Sequence, residues 1–225
     1  LVTVMQLDPL LATVAVPSGA ARGLPTGQVV LAGTVVGGSG DTFGTAMTGG
    51  LYRSVDFGQT WTRVSGSGGL PLGDVSDVII DPTNPHRYFA AIAGDFDSND
   101  DGVDNDAIAW NNKGVYLSND DGVTWVRITS GMQIGIRQSA TRIELSAQDY
   151  PALNAQVMYA AIVGADGLST IYRSTDRGGS WAGWLYDLSD SDREGSGLHF
   201  LSLLADRDDP RAVWISGNNT RPPGG

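Results

Sequence analysis

Gly114-Val-Tyr-Leu-Ser118-Asn-Asp120-Asp-Gly122-Val-Thr-Trp125 decides how this chain reads. A short β-prone run ends at a serine, a polar stretch containing glycine follows, and a tryptophan opens the next run; this is the grammar of strand, tight turn and strand. The same frame recurs as Gly50-Leu-Tyr-Arg-Ser54-Val-Asp56-Phe-Gly58-Gln-Thr-Trp61 and as Thr170-Ile-Tyr-Arg-Ser174-Thr-Asp176-Arg-Gly178-Gly-Ser-Trp181. Start-to-start distances are 64 and 56 residues, the size of a four-stranded repeat unit with a loop. Tyrosine, serine, aspartate, glycine and tryptophan fall in register three times, which chance does not explain.

A second repeated element precedes each copy. Val75-Ser-Asp-Val-Ile-Ile80 runs into Asp81-Pro82-Thr-Asn-Pro85, and strand character resumes at Tyr88-Phe-Ala-Ala-Ile92. Proline fixes φ and the aspartate can cap the turn, so Asp-Pro marks a hairpin between two strands. Asp8-Pro9 and Asp209-Pro210 hold the same place in the first and fourth repeats, and Tyr150-Pro151 does so in the third, after Thr141-Arg-Ile-Glu-Leu145. Each unit therefore reads as four antiparallel strands. The last of them is Trp61-Thr-Arg-Val64, Trp125-Val-Arg-Ile128 or Trp181-Ala-Gly-Trp184. No stretch keeps a helical period.

The expected fold is all-β: a β-propeller of four-stranded antiparallel blades, about three and a half blades of a larger ring. Repeat 1 spans 1–66, repeat 2 spans 73–131, repeat 3 spans 138–187, and a partial repeat 4 covers 197–218, with 219–225 as a tail. Leu1-Val-Thr-Val-Met-Gln6 reads as the first strand and Ala12-Thr-Val-Ala-Val16 as a spare one. His199-Phe-Leu-Ser-Leu-Leu204 and Ala212-Val-Trp-Ile-Ser216 supply half of repeat 4.

Composition supports a turn-rich globular chain. There are 31 glycines among 225 residues, and charged residues make up only 17%. The formal net charge of −11 repels phosphate backbones and anionic lipid, so neither nucleic acid nor membrane insertion is expected. With no cysteine, disulfides and thiolate metal sites are excluded. No apolar run has the length of a membrane-spanning helix.

The turn residues have physical reasons to be there. Glycine permits the positive φ that closure demands, and the serine and aspartate side chains can satisfy turn amides. The tryptophan is expected to fold back as an apolar plug between blades, with the tyrosine beside it. Ser54, Asp56, Gly58 and Trp61, Ser118, Asp120, Gly122 and Trp125, and Ser174, Asp176, Gly178 and Trp181 are thus read as scaffold rather than as catalytic groups.

Ser-x-Asp-x-Gly-x-x-Trp at these three places resembles the Asp-box repeat of bacterial neuraminidases, xyloglucanases and sortilin-type receptors. Asp81 to Pro85 is most similar to the xyloglucanase and sortilin branches. The resemblance implies the propeller and leaves the activity open, because the motif is scaffold. Sialidases carry an Arg-Ile-Pro motif near the start of the chain; the nearest string here is Arg142-Ile143-Glu144, mid-chain and without the proline. Xyloglucanases face two aspartates across a cleft between two propellers, and 225 residues do not supply both.

The sharpest chemical signal is an acidic loop, Asp95-Phe-Asp97-Ser-Asn99-Asp-Asp101-Gly102-Val103-Asp104-Asn105-Asp106. Asp97, Asn99 and Asp101 followed by Gly102 match the first half of a calcium loop, in which alternate oxygens converge on a hard cation. The carbonyl of Val103 and the side chain of Asn105 extend the set. Position twelve falls on Ile108, so Asp104 or Asp106 must replace the usual acid, with Asp95 nearby. A solvated acidic loop is the alternative. Asp187 to Glu194 lacks such spacing. His86 and His199 read as structural, and Trp110, Trp184 and Trp214 as inter-blade packing or as platforms for sugar.

These features predict a non-catalytic propeller module of an exported or cell-surface bacterial protein. It would bind a protein or glycan partner or serve in structural assembly, with calcium steadying one loop. A glycoside hydrolase fragment with its catalytic residues elsewhere, and a sortilin-like receptor, are the alternatives.

Overall fold

The computed structural model describes residues 12–15, 29–35, 49–93, 112–133, 140–164, 167–184 and 201–217. These form two compact units, one up to Arg127 and one from Ile128 onward.

In the first unit, β1 (Ala12–Ala15), β2 (Val30–Thr34), β3 (Gly50–Ser54) and β4 (Thr62–Arg63) pair in chain order as one antiparallel sheet. A second sheet repeats the plan with β5 (Val75–Asp81), β6 (Asn84–Ile92), β7 (Gly114–Ser118) and β8 (Val126–Arg127). The second unit holds β9 (Arg142–Tyr150), β10 (Ala155–Gly164), β11 (Gly167–Ser174) and β12 (Ala182–Trp184). It also holds a two-stranded sheet of β13 (Leu201–Ala205) and β14 (Val213–Gly217). Among the described residues helix is confined to short pieces such as the 3-10 turn Pro151–Leu153. The chain is all-β, built of the four-stranded antiparallel blades of a β-propeller.

Two details depart from expectation. Ala12–Ala15 is no spare strand: it pairs with β2 and takes the first position of its sheet. Asp8-Pro9 thus precedes that strand instead of following it. The closing strands are two or three residues long and start after the tryptophan. In the third sheet the hairpin turn falls at Tyr150-Pro151 and takes the form of a 3-10 turn, closed by Asn154 in the left-handed region (φ 47°). Proline at the first helical position suits that turn.

The second strand of a blade is covered on both faces, so its sequence runs continuously apolar instead of alternating. From Val157 to Val163 in β10 every residue is buried, as is Tyr88 to Ala93 in and just beyond β6. In the first unit, Leu31, Leu51, Leu70, Val75, Tyr88 and Trp125 share one apolar cluster, and β5 packs against β1 and β2. In the second, Tyr159, Ala161, Val163 and Ile171 meet Leu203 and Ala205, and β13 packs against β9 and β10. Full burial of each large side chain contributes about 1.5–3 kcal/mol. This packing fixes where the turns stand.

Candidate functional site

The three aspartate turns carry one hydrogen-bond pattern. Ser54 Oγ donates to Asp56 Oδ1 (2.7 Å) and accepts from the Gly58 amide (2.8 Å). Asp56 Oδ1 accepts from the Thr60 amide (2.8 Å), and its Oδ2 accepts from Thr60 Oγ1 (2.6 Å). Ser118, Asp120, Gly122 and Thr124 repeat every contact, as do Ser174, Asp176, Gly178 and Ser180. Both central residues have positive φ: Phe57 62° and Gly58 82°, Asp121 58° and Gly122 78°, Arg177 59° and Gly178 84°. That is the type I′ pattern, whose twist matches the flanking strands. The glycine was legible in the sequence. The non-glycine residue before it, also left-handed, was not.

These bonds set the electrostatics. The Thr60 hydroxyl, then the Thr60 amide and Ser54, hold Asp56 down to about 2. Burial opposes ionisation of Asp120, but bonds from Thr124 and Ser118 outweigh it and lower its pKa. Asp176 is lowered chiefly by the Ser180 hydroxyl, against a smaller opposing effect of burial. A carboxylate held ionised by its own turn is poorly suited to donate a proton near neutrality.

Two of the turns are braced by the segment entering their sheet. The Trp125 amide donates to Gly68 O (2.7 Å), and the Trp181 amide donates to Ser130 O (2.8 Å). A Cβ on Gly131 would stand 2.1 Å from Trp181 O, and one on Gly69 2.3 Å from Trp125 O, so glycine is required at both close approaches. Trp125 and Trp181 are both buried. Trp61 is only half-buried, although its Nε1 donates to Gly58 O of its own turn (3.0 Å) as Trp125 Nε1 does to Gly122 O (3.1 Å). The stretch that would enter its sheet lies outside the described residues.

Arginines link neighbouring blades within each unit. Arg53 Nε donates to Asp121 O (2.7 Å), and His86 Nδ1 lies 2.9 Å from Asp121 Oδ1. Buried Asp81 accepts from the Thr83 amide (2.7 Å) and pairs with Arg87 (3.1 Å), the capping its Asp-Pro motif suggested. In the second unit, Pro210 O accepts from Tyr159 Oη (3.0 Å) and from Arg173 Nε (3.2 Å) and Nη2 (2.8 Å). Tyr150 Oη donates to Asp206 O. Sequence reading missed these arginines, because a strand arginine carries no local signal of a carbonyl distant in the chain.

Beside Pro210 lies an open cleft of about 460 Å³, lined by Arg173, Thr175, residues 180–183 and Arg211. Arg173 is half-buried, with its guanidinium 6.0 Å from the Tyr159 ring centroid, whereas the Arg211 side chain is 83% exposed. Arg142 is ion-paired with Glu144 on its own strand. Trp214 is exposed and its Nε1 donates to Asp206 Oδ2 (2.7 Å).

The acidic loop with Asp95, Asp97, Asn99, Asp101, Val103, Asn105 and Asp106 lies outside the described residues, as do Trp110, Asp187 to Glu194 and His199. Among the described residues no group of three or more His, Asp or Glu gathers around a metal position. No helix among them is long and apolar enough to cross a membrane.

No protein-family model and no curated protein matches the sequence. Among solved structures, an ancestral GH74 enzyme superposes with a TM-score of 0.53 at 17% sequence identity. The match covers 91% of this chain but only 23% of that enzyme. At this identity the likeness establishes the propeller fold alone.

Proposed function

We propose that this chain is a non-catalytic propeller segment of an exported or cell-surface bacterial protein, built to present a surface to a protein or glycan partner. The observation that carries the reading is the state of Asp56, Asp120 and Asp176. Their oxygens are taken up by the hydroxyls and amides of their own turns. The repeat thus gives three scaffold turns, and function is left to the surface between them. The Asp-box resemblance supports the same division. The loop around Asp97, Asn99 and Asp101 is proposed as a weak calcium site that steadies one connection, suited to the millimolar calcium outside cells.

Affinity electrophoresis through polysaccharide gels, run beside a reducing-end assay on the same polysaccharides, tests the reading. The expected result is no release of reducing ends, whether or not migration is retarded. Release that disappears in Asp176→Asn would contradict it.

A second reading rests on the likeness to the GH74 enzyme: the chain is one part of a glycoside hydrolase whose catalytic residues lie elsewhere. In that case the chain alone stays inactive, while the complete polypeptide cleaves a polysaccharide.

A further inference from the structure

We propose that the cleft beside Pro210 binds an extended acidic peptide segment, laid along β12 with its carboxylates on Arg173 and Arg211. This deepens the reading of the module as a partner-binding unit, since it names one site and one partner class.

Charge is the first argument. The chain carries −11 overall, yet the charged side chains lining this cleft are two arginines. Arg173 uses Nε and Nη2 on one carbonyl, which fixes its plane; three of its five N–H groups remain for another acceptor. Arg211 approaches Asp209 Oδ1 only at 3.5 Å, with both side chains exposed, so a ligand carboxylate can displace that contact. The remaining negative charge does not decide the matter. At physiological salt the Debye length is about 8 Å, so charges beyond the cleft rim are screened while contacts inside it are not.

Shape is the second argument, and it selects peptide over sugar. Ala182 and Gly183 of β12 line the cleft, and among the described residues β12 pairs with β11 alone, although the amide of Trp181 just before it is already taken by Ser130 O. Backbone groups alternate in direction along such a strand, so with Trp181 engaged the next outward-facing groups are those of Gly183, where an extended peptide can bond. Ala182 and Gly183 keep the approach low, and Ala182 stands directly opposite Arg173 in the register. A side chain at the second or fourth residue of an added strand thus faces the guanidinium. A neutral sugar ring would instead stack on an aromatic face, but Trp181, which lines the cleft, is only 4% exposed.

The test uses the whole chain and a fluorescein-labelled heptapeptide with glutamate at alternate positions, compared with its glutamine counterpart by fluorescence anisotropy. The glutamate peptide should bind saturably and weaken as salt rises, and the glutamine peptide should bind at least about tenfold more weakly. Arg211→Glu should weaken binding by about tenfold or more. Ala182→Glu, which supplies Arg173 with an intramolecular carboxylate, should do the same. Both positions are exposed, so melting temperatures should stay near that of the parent chain. Equal binding of the two peptides, or parental affinity in both variants, would overturn the assignment. So would polygalacturonate binding that depends on Arg211 while the peptide fails. Failure of the peptide with retained binding of another protein or glycan removes this cleft and leaves the partner-binding reading standing.

Discussion

The turns at Trp61 and Trp125 share the same side-chain bonds at nearly the same distances, yet one tryptophan is only half-buried and the other is 4% exposed. Both turns close by themselves, through serine, aspartate and a left-handed residue pair. Burial is a separate matter, supplied by the segment entering the sheet: 65–70 reaches the second turn, and the Gly68 carbonyl takes the Trp125 amide. The repeated motif therefore encodes a turn, and the link between blades encodes the packing. The Trp181 turn, reached by Ser130 and Gly131, sides with Trp125.

The largest effect should come from breaking that contrast directly. Trp125→Ala should cost about 3–5 kcal/mol in urea unfolding, as expected for deletion of a buried aromatic. Trp61→Ala should cost less than half as much, because the ring already meets water. Equal costs would mean that the segment 65–70 contributes nothing to burial. Next comes the shared element: Ser118→Ala leaves the buried Gly122 amide without its acceptor and should cost about 1–3 kcal/mol. The equivalent Ser54→Ala, at a less covered turn, should cost less.

A third effect is common to all three turns. Asp56, Asp120 and Asp176 have lowered pKa values in the fold, Asp56 at about 2. An unfolded aspartate titrates near 3.9, so their stabilising contribution is complete above roughly pH 5 and is lost as pH falls toward 2. Melting temperature should drop steeply across that acid window, and less steeply in Asp120→Asn. The smallest effect is that of calcium. A site of about 1 mM affinity at 2 mM calcium stabilises by only about 0.6 kcal/mol, seen as a rise in melting temperature of a degree or two that Asp97→Asn abolishes.

Much of the fold was legible because its signals are local. Glycine, proline and aspartate mark turns whatever surrounds them, and a blade of four short strands repeats those marks at fixed spacing. Ala12 to Val16 read as spare because a short β-prone run does not show its partner, and only pairing with β2 places Ala12–Ala15 in the sheet; Leu1 to Gln6 lies outside the described residues. The site was harder to see. Arg173 and Arg211 stand 38 positions apart and share a cleft only because Pro210 is held against Arg173 and Tyr159. No periodicity or motif announces such a meeting. Conversely, the acidic loop was conspicuous in sequence because charge density is a compositional feature.

The repeated aspartates are proposed as scaffold. Asp176 tests this role best, because its turn borders the arginine cleft. Asp176→Asn should lower the melting temperature, yet leave binding of the acidic peptide unchanged or somewhat tighter, since a nearby negative charge is removed. Unchanged stability together with lost binding, or with loss of any measurable hydrolysis, would contradict the account.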